Sequence, residues 1–146
     1  MSSLRRAVEA HIKWCLDPFF ANTKHQIVES MRLEDRNVNT VVIVGGAARP
    51  AFPELPTSEG NWNVPITVML MSSIDDTTVD SHNEMSHTIS NALARSDARH
   101  KSKVQGLVIY DVIQGSMGEE NEGRKFITVH NYEVLVNYQP TPPLAD

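Results

Sequence analysis

His82 and His87 flank Glu84 in a run that could offer two imidazoles and a carboxylate to one metal ion. The zinc-protease helix needs its histidines at i and i+4, with the glutamate directly after the first. Here the spacing is i and i+5, about 500° of rotation at 3.6 residues per turn. The rings diverge and Glu84 is displaced by one position, so the run predicts a solvated helix face. Asp75, Asp76, Asp80 and Glu84 could supply oxygen ligands to a hard cation. A calcium loop, however, alternates its ligands about a central glycine, and no glycine lies between Ile74 and Glu84. Helix capping and favourable carboxylate placement at a helix N-terminus explain these residues more simply.

The stretch Gly115-Ser116-Met117-Gly118 lacks the Gly-Lys-Ser/Thr ending of a phosphate loop, and Glu119, Glu120 and Glu122 after it would repel phosphate. Ser116 also lacks the spacing of a hydrolase nucleophile elbow. Cys15 falls on the apolar stripe of a helix, where a cysteine acts as a small hydrophobe. No catalytic constellation remains. The chain is read as a non-enzyme with no cofactor and no metal.

Several elements must position these residues. Leu4, Val8, Ile12 and Cys15 recur at helical spacing over residues 3–16, with Pro18 limiting the end. Residues 19–35 fit neither period and predict a second short helix or an irregular arm. Residues 41–44 are a short β-branched strand stopped by Gly45 and Gly46. Prolines at 50, 53 and 56 predict an irregular loop over 46–63, and long loops of this kind are usually functional or disordered. In residues 62–71, Val64, Ile66, Val68 and Leu70 share one face and Thr67, Met69 and Met71 the other. Pro65 suggests an edge or a strand start. A helix over 81–95, capped by Asp80 or Ser81, carries Met85, Ile89, Ala92 and Leu93 on one side. Residues 107–113 and 125–138 form a long C-terminal hairpin with an acidic tip at 115–124, closed by Arg124 and Lys125. A Pro-rich tail follows at 139–146.

The order is α-β-β-α-β-β. It predicts one α+β domain over 1–146, with about four strands in a mixed or antiparallel sheet and two helices packed on one face. The length, 146 residues, suits one core without disulfides or metals. One cysteine gives no disulfide framework. Lys and Arg number 13 against 18 Asp and Glu, a net charge of -5, which argues against a general nucleic-acid binder. No signal peptide or membrane span is visible, so a soluble protein made in the cytoplasm is expected.

The run from Gly60 to Ser73, then Asp75-Asp76-Thr77-Thr78, then a helix containing His82, resembles the tail terminator (tail completion) proteins of long-tailed bacteriophages. Residues 107–112 and the acidic hairpin are similar in order and spacing, and the resemblance covers residues 3–138. It implies a ring, commonly a hexamer, that caps the tail tube, stops its polymerisation and meets the head-side connector, with DNA passing through its channel. The implied partners are further copies of the chain, the tail-tube protein and the connector or stopper. DNA is met only in passage and no membrane is involved. The implied location is the virion tail or neck, and the host cytoplasm during assembly.

Acidic residues along such a channel would keep DNA from sticking. Asp75, Asp76, Glu119, Glu120 and Glu122 are the candidates, because both clusters sit on loops with no counter-charge run beside them. Arg49, Phe52, Leu55, Trp62, Arg124 and Tyr138 are the candidates for contact with neighbouring subunits or the tube. The alternatives are another neck or tail component (a head-completion, stopper or tail-tube protein), a small cytosolic enzyme, or an adaptor binding one partner through an edge strand.

Overall fold

Alternation of side chains sets the centre of the fold. In β4 (Asn61–Ser73), Val64, Ile66, Val68 and Leu70 are buried, while Thr67, Met69 and Met71 are half-buried on the opposite face. The same period runs through β6 (Lys125–Tyr138), where Thr128, His130, Tyr132, Val134 and Val136 point inward. β4 and β6 pair antiparallel over thirteen positions, from Asn61 with Asn137 to Ser73 with Lys125. This computed structural model describes residues 4–29, 39–51, 60–95, 98, 102 and 104–139.

Around that pair stand β1 (Gln26–Glu29), β2 (Thr40–Gly45), β3 (Arg49–Pro50) and β5 (Leu107–Glu122). The sheet runs β1-β2-β4-β6-β5, with β3 also on β4, six strands among the described residues. β1 lies parallel to β2 and the other pairs are antiparallel. Among the described residues, two long helices complete an α+β fold: α1 (Leu4–Phe20) and α2 (Val79–Ala94). α1 packs over β1 and β2, α2 over β5 and β6, and the helices touch each other. Val8, Ile12, Leu16 and Phe20 of α1 share one buried cluster with Ile89 and Leu93 of α2 and the inward face of β4. Both helices therefore lie on one face, as amphipathic stripes require.

Several boundaries differ from the sequence expectations. The sheet has six strands, not about four, because two short strands form only by pairing. β1 falls inside the ambiguous stretch after residue 19, where it is neither helix nor irregular. Its four residues lie beside β2 in register Gln26 with Thr40 to Glu29 with Ile43. β3, within the expected irregular loop 46–63, pairs Arg49 with Asn63 and Pro50 with Trp62. α1 does not stop before Pro18. It continues to Phe20, which is 4% exposed in the core; that burial outweighs the one helical hydrogen bond a proline cannot donate.

Pro65 lies in an interior strand, not at an edge. A strand residue directs its N–H and C=O to the same side. The Pro65 carbonyl accepts the Gly46 N–H at 2.8 Å, so its missing N–H faces the β2 side, where the β2 ladder has already ended at Gly45 with Ile66. The β6 ladder loses nothing.

The tip at 115–124 is not a loop. β5 runs through to Glu122, and the connection is a tight turn at Gly123 and Arg124. Gly123 has φ +61°, the left-handed geometry that hairpin turns place on glycine. Gly115 falls in the second of two register shifts along β5, between Gln114 and Met117. It bends the strand there without ending it.

Candidate functional site

The two acidic segments meet at one end of the sheet. The β4–α2 turn at residues 74–76 lies against the β5–β6 turn: Ile74 N–H donates to the Arg124 carbonyl at 2.9 Å. The Arg124 guanidinium stands 3.6 Å from the Asp75 carboxylate, both well exposed. This corrects the expectation that the clusters have no counter-charge beside them. The turn is built from within. Asp75 N–H donates to Ser73 Oγ at 3.2 Å, and Thr77 N–H to the Ser73 carbonyl at 3.0 Å. Asn39 accepts the Ser73 N–H at 2.9 Å and donates to Asp76 Oδ2 at 3.2 Å.

α2 starts directly after this turn. Its cap is Thr78, not Asp80 or Ser81: Ser81 N–H donates to Thr78 Oγ1 at 3.1 Å. Asp80 sits in the first turn, where a carboxylate suits the helix dipole.

β-strand alternation then separates the hairpin glutamates. Glu119 pairs with Thr128 and faces the helices; Glu120 pairs with Ile127 and faces the other way. Glu122 ends β5, paired with Lys125, and its side chain lies outside what the structure describes. A shallow depression of about 130 Å³ opens between Val79, His82, Glu119, Phe126 and Thr128.

Under that depression is a chain of imidazoles and hydroxyls. Ser72 Oγ lies 2.8 Å from His25 Nε2 and 2.7 Å from His82 Nδ1, and His82 Nε2 lies 2.8 Å from Thr128 Oγ1. His130 Nε2 is 2.9 Å from Ser86 Oγ. His82 is 3% exposed, so it does not lie on the solvated face that the spacing predicts. Asn83, Glu84 and His87 are exposed on that face. Burial pushes His25, His82 and His130 below the usual histidine range. At His25 and His130 the neighbouring His82 adds repulsion, whereas the Glu119 carboxylate partly offsets burial at His82. A neutral imidazole donates through one nitrogen and accepts through the other. The chain thus ties β1's approach, β4, α2 and β6 together without a buried charge.

The remaining candidates are dispersed. Arg49 is exposed on β3. Trp62 is half-buried against the core beside Pro50 and Val136. Tyr138 also packs against the core, and its N–H donates to the Gly60 carbonyl at 2.8 Å. Phe52, Leu55 and the tail beyond Gln139 lie outside the described residues. Cys15 sits half-buried at the core margin, its Sγ 3.5 Å from His11 Nε2. Among the described residues, no group of three or more His, Cys, Asp or Glu side chains is placed to hold a metal ion. Among them, too, no helix is long and apolar enough to cross a membrane.

The buried histidines had a faint signal in sequence. In β6, His130 shares the period of Val134 and Val136; in α2, His82 lies seven residues before Ile89, on the same helical face. No protein-family model matches the chain, and no curated protein matches it.

Proposed function

We propose that this chain is a virion structural protein that assembles into a ring, a hexamer by the resemblance to tail terminators. The ring caps the tail tube, ends its polymerisation and joins the tail to the head-side connector, with DNA passing through its channel. The observation that carries the reading is the convergence of Asp75, Asp76, Glu119 and Glu120 on one end of the sheet, from segments more than forty residues apart. An end so charged repels phosphates instead of holding them. Its position on the β4–α2 turn and the adjoining end of β5 lets it approach a channel while the sheet and helices form the wall.

Electron microscopy of particles assembled without this protein tests the reading. Overlong tails support a terminator. DNA leaking from heads overturns it in favour of a stopper, and particles with no tube at all in favour of a tube component. Light scattering with added tail-tube protein gives a second arm: a ring on the tube is expected, and a strict monomer that binds a small ligand overturns it. Deleting residues 50–58 and 139–146 is expected to weaken assembly while leaving the monomer folded.

A further inference from the structure

We infer that the outer edge of β5 is the surface through which copies of this chain join, each pairing with the α1–β1 side of its neighbour. The inference deepens the ring reading and rests on it. β5 and β1 are the two edges of the sheet. β1 offers only four residues, whereas β5 offers sixteen. An edge strand presents a row of N–H and C=O groups ready to pair, and proteins commonly blunt a long one with lysine or proline. β5 contains neither, and its two register shifts, between Ile109 and Asp111 and between Gln114 and Met117, interrupt the edge without ending it. It carries instead four of the seven exposed large hydrophobic residues among those described: Val108 at 50%, Tyr110 at 45%, Ile113 at 41% and Met117 at 51%. Met117 pairs with the inward-facing His130 and meets Ser86 of α2, on the helix side. Val108, Tyr110 and Ile113, close together along the edge strand, are the exposed apolar side chains that mark an interface.

Charge selects the occupant. β5 carries Asp111, Glu119, Glu120 and Glu122 and no cation. At the opposite edge α1 packs over β1 and β2, with Arg5 and Arg6 exposed on it and Lys24 exposed just before β1. Lys13 is paired there with Asp17, Arg5 lies 3.9 Å from the buried Glu9, and β1 itself ends in Glu29. Joining β5 to β5 would bring two acidic strands into one ladder. Joining β5 to the α1–β1 side sets carboxylates toward cations. That contact is heterologous, and it closes into a ring when its rotation divides a full turn.

Light scattering of the full chain, from micromolar to millimolar concentration, tests this with Tyr110→Lys, Ile113→Lys and Val79→Lys. Val79 is a matched control, an exposed apolar residue on α2. The wild-type chain and V79K are expected to associate alike. Y110K and I113K are expected to need at least about tenfold more protein for half-assembly, a loss of about 1.4 kcal/mol, with unchanged circular dichroism and melting. Hydrogen exchange adds an arm independent of folding: β5 amides are expected to gain protection as wild-type copies associate. A wild-type chain that stays monomeric, or one that binds a different protein along β5 as a monomer, overturns the inference. Rings that survive both β5 substitutions, without β5 protection, overturn this interface and leave the ring reading standing. Tail length in particles lacking the protein judges that reading separately.

Discussion

Glu9 reaches from α1 across to the end of β2, where its carboxylate accepts the Gly45 N–H at 2.7 Å. The side chain is 1% exposed and lies 3.9 Å from the Arg5 Nε. A Cβ on Gly45 would collide with the Arg5 side chain, so the glycine is what lets helix and strand approach. Replacing Glu9 by Leu strands a buried N–H, which costs about 1–3 kcal/mol. Glu9→Gln keeps an oxygen acceptor and is expected to lose less than half as much. Urea unfolding of both variants checks the order; equal losses would show that the acceptor is unimportant.

Acid is expected to loosen the fold through the buried histidines. Their native pKa values lie below the ordinary 6.5, so the unfolded chain binds more protons as the pH falls. Stability is therefore full above 6.5 and declines below it, toward the lowered native values. Melting temperature measured from about pH 8 to about pH 5 should fall on the acid side, and His82→Gln should make that fall shallower. A profile identical in the two proteins would remove His82 from the account.

Adjacent phenylalanines are expected to behave differently. Phe20 is 4% exposed in the core, whereas Phe19 is 40% exposed beneath the Arg95 guanidinium at 5.7 Å. Phe20→Ala is expected to cost about 3–5 kcal/mol, and Phe19→Ala less than about 1 kcal/mol. Comparable losses in denaturant midpoints would contradict the path of α1 through Pro18.

Reversing charge at the acidic end separates stability from function. Asp75 and Arg124 are both well exposed, so Arg124→Ala is expected to shift stability by less than about 1 kcal/mol. The double variant Asp75→Lys, Glu120→Lys should fold normally yet retain duplex DNA at low salt, where the parent chain does not. A gel-shift comparison decides it; equal mobility of DNA with both proteins would count against the channel reading.

The α+β class, the alternation of β4 and β6 and the apolar side of α2 were legible because each has a strong period of its own. β1 and β3 were not. Four and two residues carry no periodic signal, and they become strands only through partners at Thr40 and Trp62. The glycines at 115 and 118 read as loop because sequence alone does not show the β6 ladder that holds them. The spacing of His82 to His87 points to solvent, whereas its spacing to Ile89 places it on the buried face of α2. The meeting of Asp75 with Arg124 depends on the register of Ser73 with Lys125, a tertiary fact with no local trace.

Chain order and spatial order disagree at one place in this sheet. β6 is the last strand along the chain but lies between β4 and β5. During synthesis α1, β1, β2, β3 and β4 therefore emerge with one side of β4 bare, and that side stays open until residues 125–138 arrive. The β5–β6 hairpin can close on its own neighbours at once, whereas the β4–β6 ladder joins residues more than fifty positions apart and must wait. The sheet is completed by insertion of a preformed hairpin. Until then the nascent chain leaves a thirteen-residue pairing edge of β4 open, which makes this interval the one most open to aggregation.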